Sequence, residues 1–269
     1  MIELRELKQR DELLEVQQLE QLVWDMAPIP LHQTMTAVKH GGLIIGAYSQ
    51  QQLVGFSYGF AGYTEGEAYL CSHMLGIHPE FRSQKIGERL KEYQRKVALE
   101  KGYHRIIWTY DPLESRNAYL NLTKLRGICS TYIENCYGEM EDGLNKGLPS
   151  DRFEIHWYID TPHISTEPTR NERDAVSLGS ISWEEDHPMF YPTGEVMDAP
   201  VYTLPIPKDF QSLKQQNPEL AYAWRIQTRA VFQELFAKGY CATELVQGQD
   251  ENRYLFVKQS MLSLGGTPL

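Results

Sequence analysis

The sequence predicts an α+β fold, a mixed and mostly antiparallel sheet flanked by helices, with a smaller C-terminal α/β segment after it. Three observations lead there. Apolar runs at 43–48, 53–63 and 67–77 follow one another across short polar turns, as antiparallel strands do. An amphipathic helix over 84–101 places Ile86, Leu90, Tyr93 and Val97 on one face and leads into a further strand at 104–110. Past residue 200 one more helix and a closing pair of strands return. Strands interleaved with helices bury their apolar faces most economically as a sheet with helices packed on it.

Taken in order, residues 2–6 alternate apolar and polar and read as a short strand. Residues 9–25 carry Leu13, Val16, Leu19, Leu22 and Val23 at helical spacing, with Pro28 and Pro30 as stops. The strands 43–48 and 53–63 enclose the polar turn Ser49–Gln52, a hairpin. The helix 84–101 closes at Gly102, which suits a left-handed C-cap. A turn starts at Asp111-Pro112, a helix spans 114–125, and strands at 128–133 and 152–159 flank a loop rich in Gly, Asn and Asp. Residues 161–200 are rich in Pro, Glu, Thr and Ser with few adjacent apolar residues, and read as a linker or surface excursion. Order resumes at Val201, with a helix carrying Trp224, Thr228, Val231, Leu235 and Phe236 and a hairpin of Tyr240–Val246 with Arg253–Lys258. The expected division is therefore 1–160, a connecting 161–200, and a smaller 201–269.

Composition excludes several classes. Twenty-six Lys and Arg against 36 Asp and Glu give a net charge of −10, which argues against nucleic acid as a partner, since that needs a basic face. No apolar run approaches membrane-spanning length and no secretory signal pattern opens the chain, so the expectation is a cytoplasmic protein that binds no membrane. Cys71, Cys129, Cys136 and Cys241 form no Cys-x-x-Cys pair and read as reduced thiols. Histidines 32, 40, 78, 104, 156, 163 and 187 show no His-x-x-x-His spacing, so no metal is expected. Neither a Gly-x-x-x-x-Gly-Lys-Ser/Thr loop nor a Gly-x-Ser-x-Gly elbow is present, against a nucleoside triphosphatase and a serine hydrolase.

The stretch Leu75-Gly76-Ile77-His78-Pro79-Glu80-Phe81-Arg82-Ser83-Gln84-Lys85-Ile86-Gly87-Glu88 is the most informative one. A strand turns at Pro79, passes a basic polar loop and enters a helix. Loop amides without partners, with a helix dipole behind them, favour an anion, and a pyrophosphate is the natural occupant.

These residues resemble the diagnostic loop of the GNAT superfamily of acyl-CoA N-acyltransferases, written Arg/Gln-x-x-Gly-x-Gly/Ala. Arg82 and Gly87 match its ends, and Lys85 stands where the family has its middle glycine. Asn117-Ala118 and Lys124-Leu125 resemble the family's fourth helix. Ser72-His73-Met74-Leu75, Trp108 to Leu113 and Leu148 to Arg152 resemble a bacterial and archaeal branch of acetyltransferases for which no substrate is implied. In element order the resemblance covers about residues 1–160.

The resemblance implies acetyl-CoA as co-substrate and an amine as acceptor, a small molecule or a peptide, with direct attack in a ternary complex. It implies that Leu75 and Ile77 offer backbone groups to the pantetheine and thioester. It likewise implies that Arg82, Ser83, Gln84, Lys85, Ile86, Gly87 and Glu88 face the pyrophosphate, and that Asn117 approaches from the next helix. A positive φ at Lys85 would cost about 1–2 kcal/mol, which a folded domain tolerates.

An attacking amine must be neutral. For a lysine-like amine with a pKa of about 10.4, that costs about 4.6 kcal/mol at pH 7, so a base is useful. His73 is the first candidate. Strand alternation would set it on the face of Leu75 and Ile77, and a structural imidazole in the sheet is the competing reading. Glu67, at the start of the same strand, is the second, and it reads equally as an exposed strand-end carboxylate. The family's general-acid tyrosine would fall at Leu122, so that role is empty there. Tyr119 and Tyr132 are its neighbours, and Tyr119 is the candidate carried forward. Asp111, Asp151 and Arg152 could line the acceptor pocket; Asp111 reads equally as a turn or cap residue, and Asp151-Arg152 as part of a structural ion pair. A non-catalytic acyl-CoA binder, or an interaction protein using its C-terminal segment, is the alternative function. A homodimer is kept open.

Overall fold

A computed structural model describes residues 1–64, 66–138, 147–165 and 174–265. The chain divides into two compact units.

The first unit is Met1–Trp108 with Tyr158–Asp160. It contains β1 (Ile2–Glu6), α1 (Arg10–Trp24), α2 (Leu31–Lys39), β2 (Leu43–Ser49), β3 (Gln52–Thr64), β4 (Glu67–Ile77), α3 (Ile86–Glu100) and most of β5 (Arg105–Tyr110). The strand order is β1-β2-β3-β4-β5; β1 to β4 pair antiparallel and β4 meets β5 in parallel. The β2–β3 turn has positive φ at both Gln50 (49°) and Gln51 (73°), the backbone that matches the twist of a tight hairpin.

α1 begins where the Glu12 carboxylate accepts from the amides of Lys8 (2.8 Å) and Gln9 (2.9 Å), satisfying donors that a helix start leaves open. It buries Leu13, Val16 and Leu19 in one core with Phe56 and Tyr58 of β3, each such side chain contributing about 2 kcal/mol. Gly76 of β4 sits where this packing is tightest: a Cβ there would lie 2.7 Å from the Phe56 ring and 3.1 Å from Trp24. α3 covers the opposite sheet face with Ile86, Leu90, Val97 and Ala98. The expected stop at Pro28 and Pro30 has a second meaning. Pro30 precedes the first turn of α2, a helix not read from the sequence, because a fixed φ suits a helix start.

The second unit is Thr109–Trp157 with Thr161–Leu269. It holds α4 (Ser115–Ala118), which continues to Lys124 as a wider turn with i→i+5 bonding, then β6 (Ile128–Ile133) and β7 (Arg152–Tyr158). After them come α5 (Pro162–Ser165), β8 (Val176–Ser177), β9 (Gly179–Glu184), β10 (His187–Pro192), β11 (Val201–Ile206), α6 (Phe210–Gln216), α7 (Pro218–Ala237), β12 (Tyr240–Gln247) and β13 (Asn252–Lys258). The order β7-β6-β12-β13-β11-β8 forms its sheet, and β9 and β10 make a separate hairpin. Its core is aromatic: Phe153 lies 4.6 Å from Phe232, with Tyr132, Phe236 and Tyr254 around them.

Residues 109–157 fall in the second unit, where β6 pairs with β12. The expected linker 161–200 is partly built: residues 166–173 lie outside the described residues, but β9 and β10 pair over six residues each. Phe190 packs with its ring tilted 30° and 4.9 Å from that of Trp224, whose indole N–H donates to the Pro188 carbonyl (2.7 Å). Half-exposed strands alternate apolar with polar residues, which made this segment read as uniformly polar.

Candidate active site

β4 and β5 pair at only two couples, Leu70↔Ile106 and Cys71↔Ile107. Beyond Cys71 the edge of β4 from Ser72 to Ile77 has no partner from β5 in this unit, and the two strands part. The alternation of an antiparallel ladder fixes what that edge presents. The His78 amide donates to the Val54 carbonyl (2.9 Å), so every second residue back, Gly76 and Met74, also turns its backbone groups to β3. Leu75 and Ile77 therefore turn N–H and C=O outward, into the gap.

At the mouth of the gap the chain makes a 3-10 turn at Pro79–Phe81 and then an exposed loop into α3. Ser83 (φ 68°) and Lys85 (φ 58°) are both left-handed, which curls successive amides inward. Among the described residues no hydrogen bond uses the N–H groups of Ser83 to Glu88, and Lys85, the N-cap, gives no side-chain cap. A Cβ on Gly87 would meet only a Leu75 methyl, at 3.5 Å. The protein's own packing thus leaves open the space over this glycine. Six free donors at the N-terminus of a 15-residue helix, beside that space, fit a diphosphate.

His73 lies at a bulge. Tyr58 opposes Met74 and Gly59 opposes Ser72, so His73 is the extra residue. The bulge reverses the alternation expected for it. Its ring packs against Tyr58 (6.1 Å) and Phe60 (5.6 Å), on the face of α1, whereas Leu75 and Ile77 reach Gly87, Gly55 and Ile86 on the face of α3. One edge stays exposed, and burial of the rest lowers its pKa below the usual 6.5. Glu67 stands at the other end of β4, exposed and 3.9 Å from Arg105, about five residues or 16 Å back from Ser72.

On the α3 face, Lys91 was not singled out from the sequence. It is only 3% exposed. Its ammonium donates to Ser72 Oγ (2.8 Å) and lies 3.5 Å from the centre of the Trp108 ring, and Ser72 Oγ donates to Gln94 Oε1 (2.9 Å). Burial lowers its pKa to about 7. The one available signal was its place on the helix beside Gln94 and Ala98, within the buried arc.

The remaining candidates belong to the second unit. Asp151 is fully buried and saturated: it accepts from Tyr132 Oη, from the Asn135 amide (2.9 Å) and from Arg229 Nε (2.8 Å) and Nη2 (3.0 Å). Asp111 accepts from the Leu113 amide (2.9 Å) and from the buried Arg225. Both are anchors within the fold, the competing reading for each. Arg152 donates to the Asp151 carbonyl (2.9 Å) and lies 5.4 Å from the Tyr137 ring. Tyr119 opens the wide turn after α4, 5.4 Å from the Lys124 ammonium, and Asn117 is exposed on α4. Tyr132, the other tyrosine near Leu122 in sequence, is held high in pKa by burial and by Asp151. No helix among the described residues is long and apolar enough to cross a membrane, and no group of three His, Cys, Asp or Glu among them could hold a metal ion.

Residues 3–122 match the model of the acetyltransferase (GNAT) family. No curated protein matches the chain. Solved structures similar to it include the ribosomal-protein-S18-alanine N-acetyltransferase of Escherichia coli, with 15% identity, 63% of this chain and 98% of that one covered, and a TM-score of 0.47. They also include Arabidopsis thaliana Naa50 in complex with a bisubstrate analogue (16%, 58% and 97%, 0.45) and an N-acetyltransferase of Staphylococcus aureus (12%, 60% and 99%, 0.46). The parted strands and the open loop lie within residues 3–122, the segment that matches the acetyltransferase (GNAT) family model.

Proposed function

We propose that the chain transfers an acetyl group from acetyl-CoA to an amine by direct attack, with the co-substrate lying in the gap beside β4. The observation that carries this reading is the row of unpartnered amides from Ser83 to Glu88 at the mouth of an unpaired strand edge. Those amides hold the diphosphate, with the charges of Arg82 and Lys85 nearby. The outward N–H and C=O groups of Leu75 and Ile77 align the pantetheine arm. His73, neutral at pH 7 because its pKa is lowered, accepts the proton of the attacking amine, directly or through a water. Glu67 is too far along the strand for direct contact.

Thiol release from acetyl-CoA in the presence of a panel of small amines and peptide N-termini tests the reading. Release that depends on the amine and is lost in Gly87→Val supports it. Binding of CoA with no acceleration by any amine would leave a binding module, and absence of CoA binding would remove the reading altogether.

A further inference from the structure

The gap has a vertex, and one charged side chain occupies it. Cys71↔Ile107 is the last couple joining β4 to β5, so Ser72 and Trp108 are the first residues past the split. Lys91 touches both, donating to the Ser72 hydroxyl and lying over the Trp108 ring. An ammonium in such a place normally has a carboxylate beside it. Here, among the described residues, no ion pair reaches it; the groups facing it are Ser72 and the titratable Cys71 from β4, Trp108 from β5 and Gln94 from its own helix.

We propose that Lys91 is the counter-charge and proton donor for the sulfur of coenzyme A. This rests on the reading that acyl-CoA lies in the gap. With the diphosphate at the Ser83–Glu88 loop, the pantetheine arm runs inward along β4. From Ile77 to Ser72 the strand covers about 16 Å, comparable with that arm, which brings the thiol end to the vertex. In the reaction the amine nitrogen bonds to the acetyl carbon, the C–S bond breaks and its electron pair goes to sulfur. Lys91 then gives one N–H proton to the thiolate and is left as a neutral amine. The proton shed by the attacking amine leaves separately through the other face, and Lys91 regains one from solvent when the product departs.

The polar chain behind Lys91 suits both protonation states. With the ammonium, the order is Lys91 to Ser72 to Gln94 Oε1, and Gln94 Nε2 is buried without a partner. If the Gln94 amide turns over, that orphan Nε2 donates to Ser72 Oγ, and the Ser72 hydroxyl donates to a neutral Lys91 nitrogen. The buried Gln94 atom without a partner is then Oε1 in place of Nε2, so the flip exchanges one orphan for another while keeping the Lys91–Ser72 bond.

The test needs no acceptor amine. Titration of bound CoA, followed by thiolate absorbance, gives the thiol pKa in the complex, and parallel calorimetry compares CoA with desulfo-CoA. Because Lys91 itself loses its proton near pH 7, a thiolate keeps its ammonium only if the thiol falls to about 7 or below from its free value of about 8.5. The wild type is therefore expected to show that fall and to bind CoA several-fold tighter than desulfo-CoA at pH 8. Lys91→Met, which suits the apolar surroundings, is expected to bind both equally with an ordinary thiol pKa. An unshifted thiol pKa and equal affinities in the wild type would overturn the inference while leaving the acyl-CoA site standing. Failure of the wild type to bind either ligand would overturn the site, and the inference with it.

Discussion

Replacing Lys85 by glycine restores the residue that the family's loop carries at this place, and the structure makes its two consequences opposite in sign. Lys85 sits at φ 58°, a left-handed conformation that costs a residue with a Cβ about 1–2 kcal/mol. Glycine removes that strain but gives back up to about 1 kcal/mol through the greater freedom of the unfolded chain. The net stabilisation is about 0.5–1 kcal/mol, or roughly 1–4 °C in Tm for a chain of this size. Binding goes the other way. The side chain is exposed, so its ammonium attracts a diphosphate by no more than about 1 kcal/mol, and the variant should bind CoA up to about five-fold more weakly. That deficit should fade as salt is raised towards 0.5 M, since exposed charges are screened. Thermal unfolding and calorimetry at two salt concentrations read both effects. A glycine variant that binds CoA more tightly than the wild type would refute the reasoning, for it would mean that the lysine obstructs the loop.

Three further outcomes are expected. Gly87→Val introduces bulk into space bounded only by a Leu75 methyl; it should leave stability within about 0.5 kcal/mol and weaken CoA binding more than ten-fold by calorimetry. Asp151→Asn removes a fully buried charge on which Tyr132 and Arg229 converge, and urea unfolding should show a loss of about 3–5 kcal/mol. The pKa of His163 is lowered to about 4 by burial and by Arg126. Because the unfolded chain takes up this proton first, near pH 6.5, stability should fall as pH drops from about 6.5 to 4, by about 3 kcal/mol in total, and level off below. His163→Gln should flatten that segment of the curve in pH-dependent unfolding.

The fold was legible wherever a local period ran unbroken. The β2–β3 hairpin, β4, α3 and the closing β12–β13 pair all show plain alternation or a helical stripe, and the loop between β4 and α3 could be placed from Pro79 and the residues after it. The failures have identifiable causes. A bulge inserts one residue into a period of two, and nothing in Ser72-His73-Met74 announces it; His73 therefore faces α1, opposite to where counting puts it. Lys91 reads as a solvated helix residue, because burial of an ammonium depends on Ser72, Gln94 and Trp108, two of them distant in sequence. Asp111 and Asp151 looked available because their partners Arg225 and Arg229 lie 114 and 78 residues away. The hairpin of β9 and β10 was concealed by its exposed polar positions, while its anchor, Phe190 on Trp224, is a long-range contact.

In the proposed site the amides of Ser83 to Glu88 receive the diphosphate of coenzyme A beside the unpaired edge of β4. Amide resonances of the isotope-labelled protein, followed as CoA is added, test it most directly. The largest shifts are expected at Ser83–Glu88, followed by Leu75 and Ile77, with adenosine 3′,5′-bisphosphate, which lacks the diphosphate, leaving the loop amides nearly unmoved. Saturable CoA binding that shifts other residues and leaves that loop in place would contradict it.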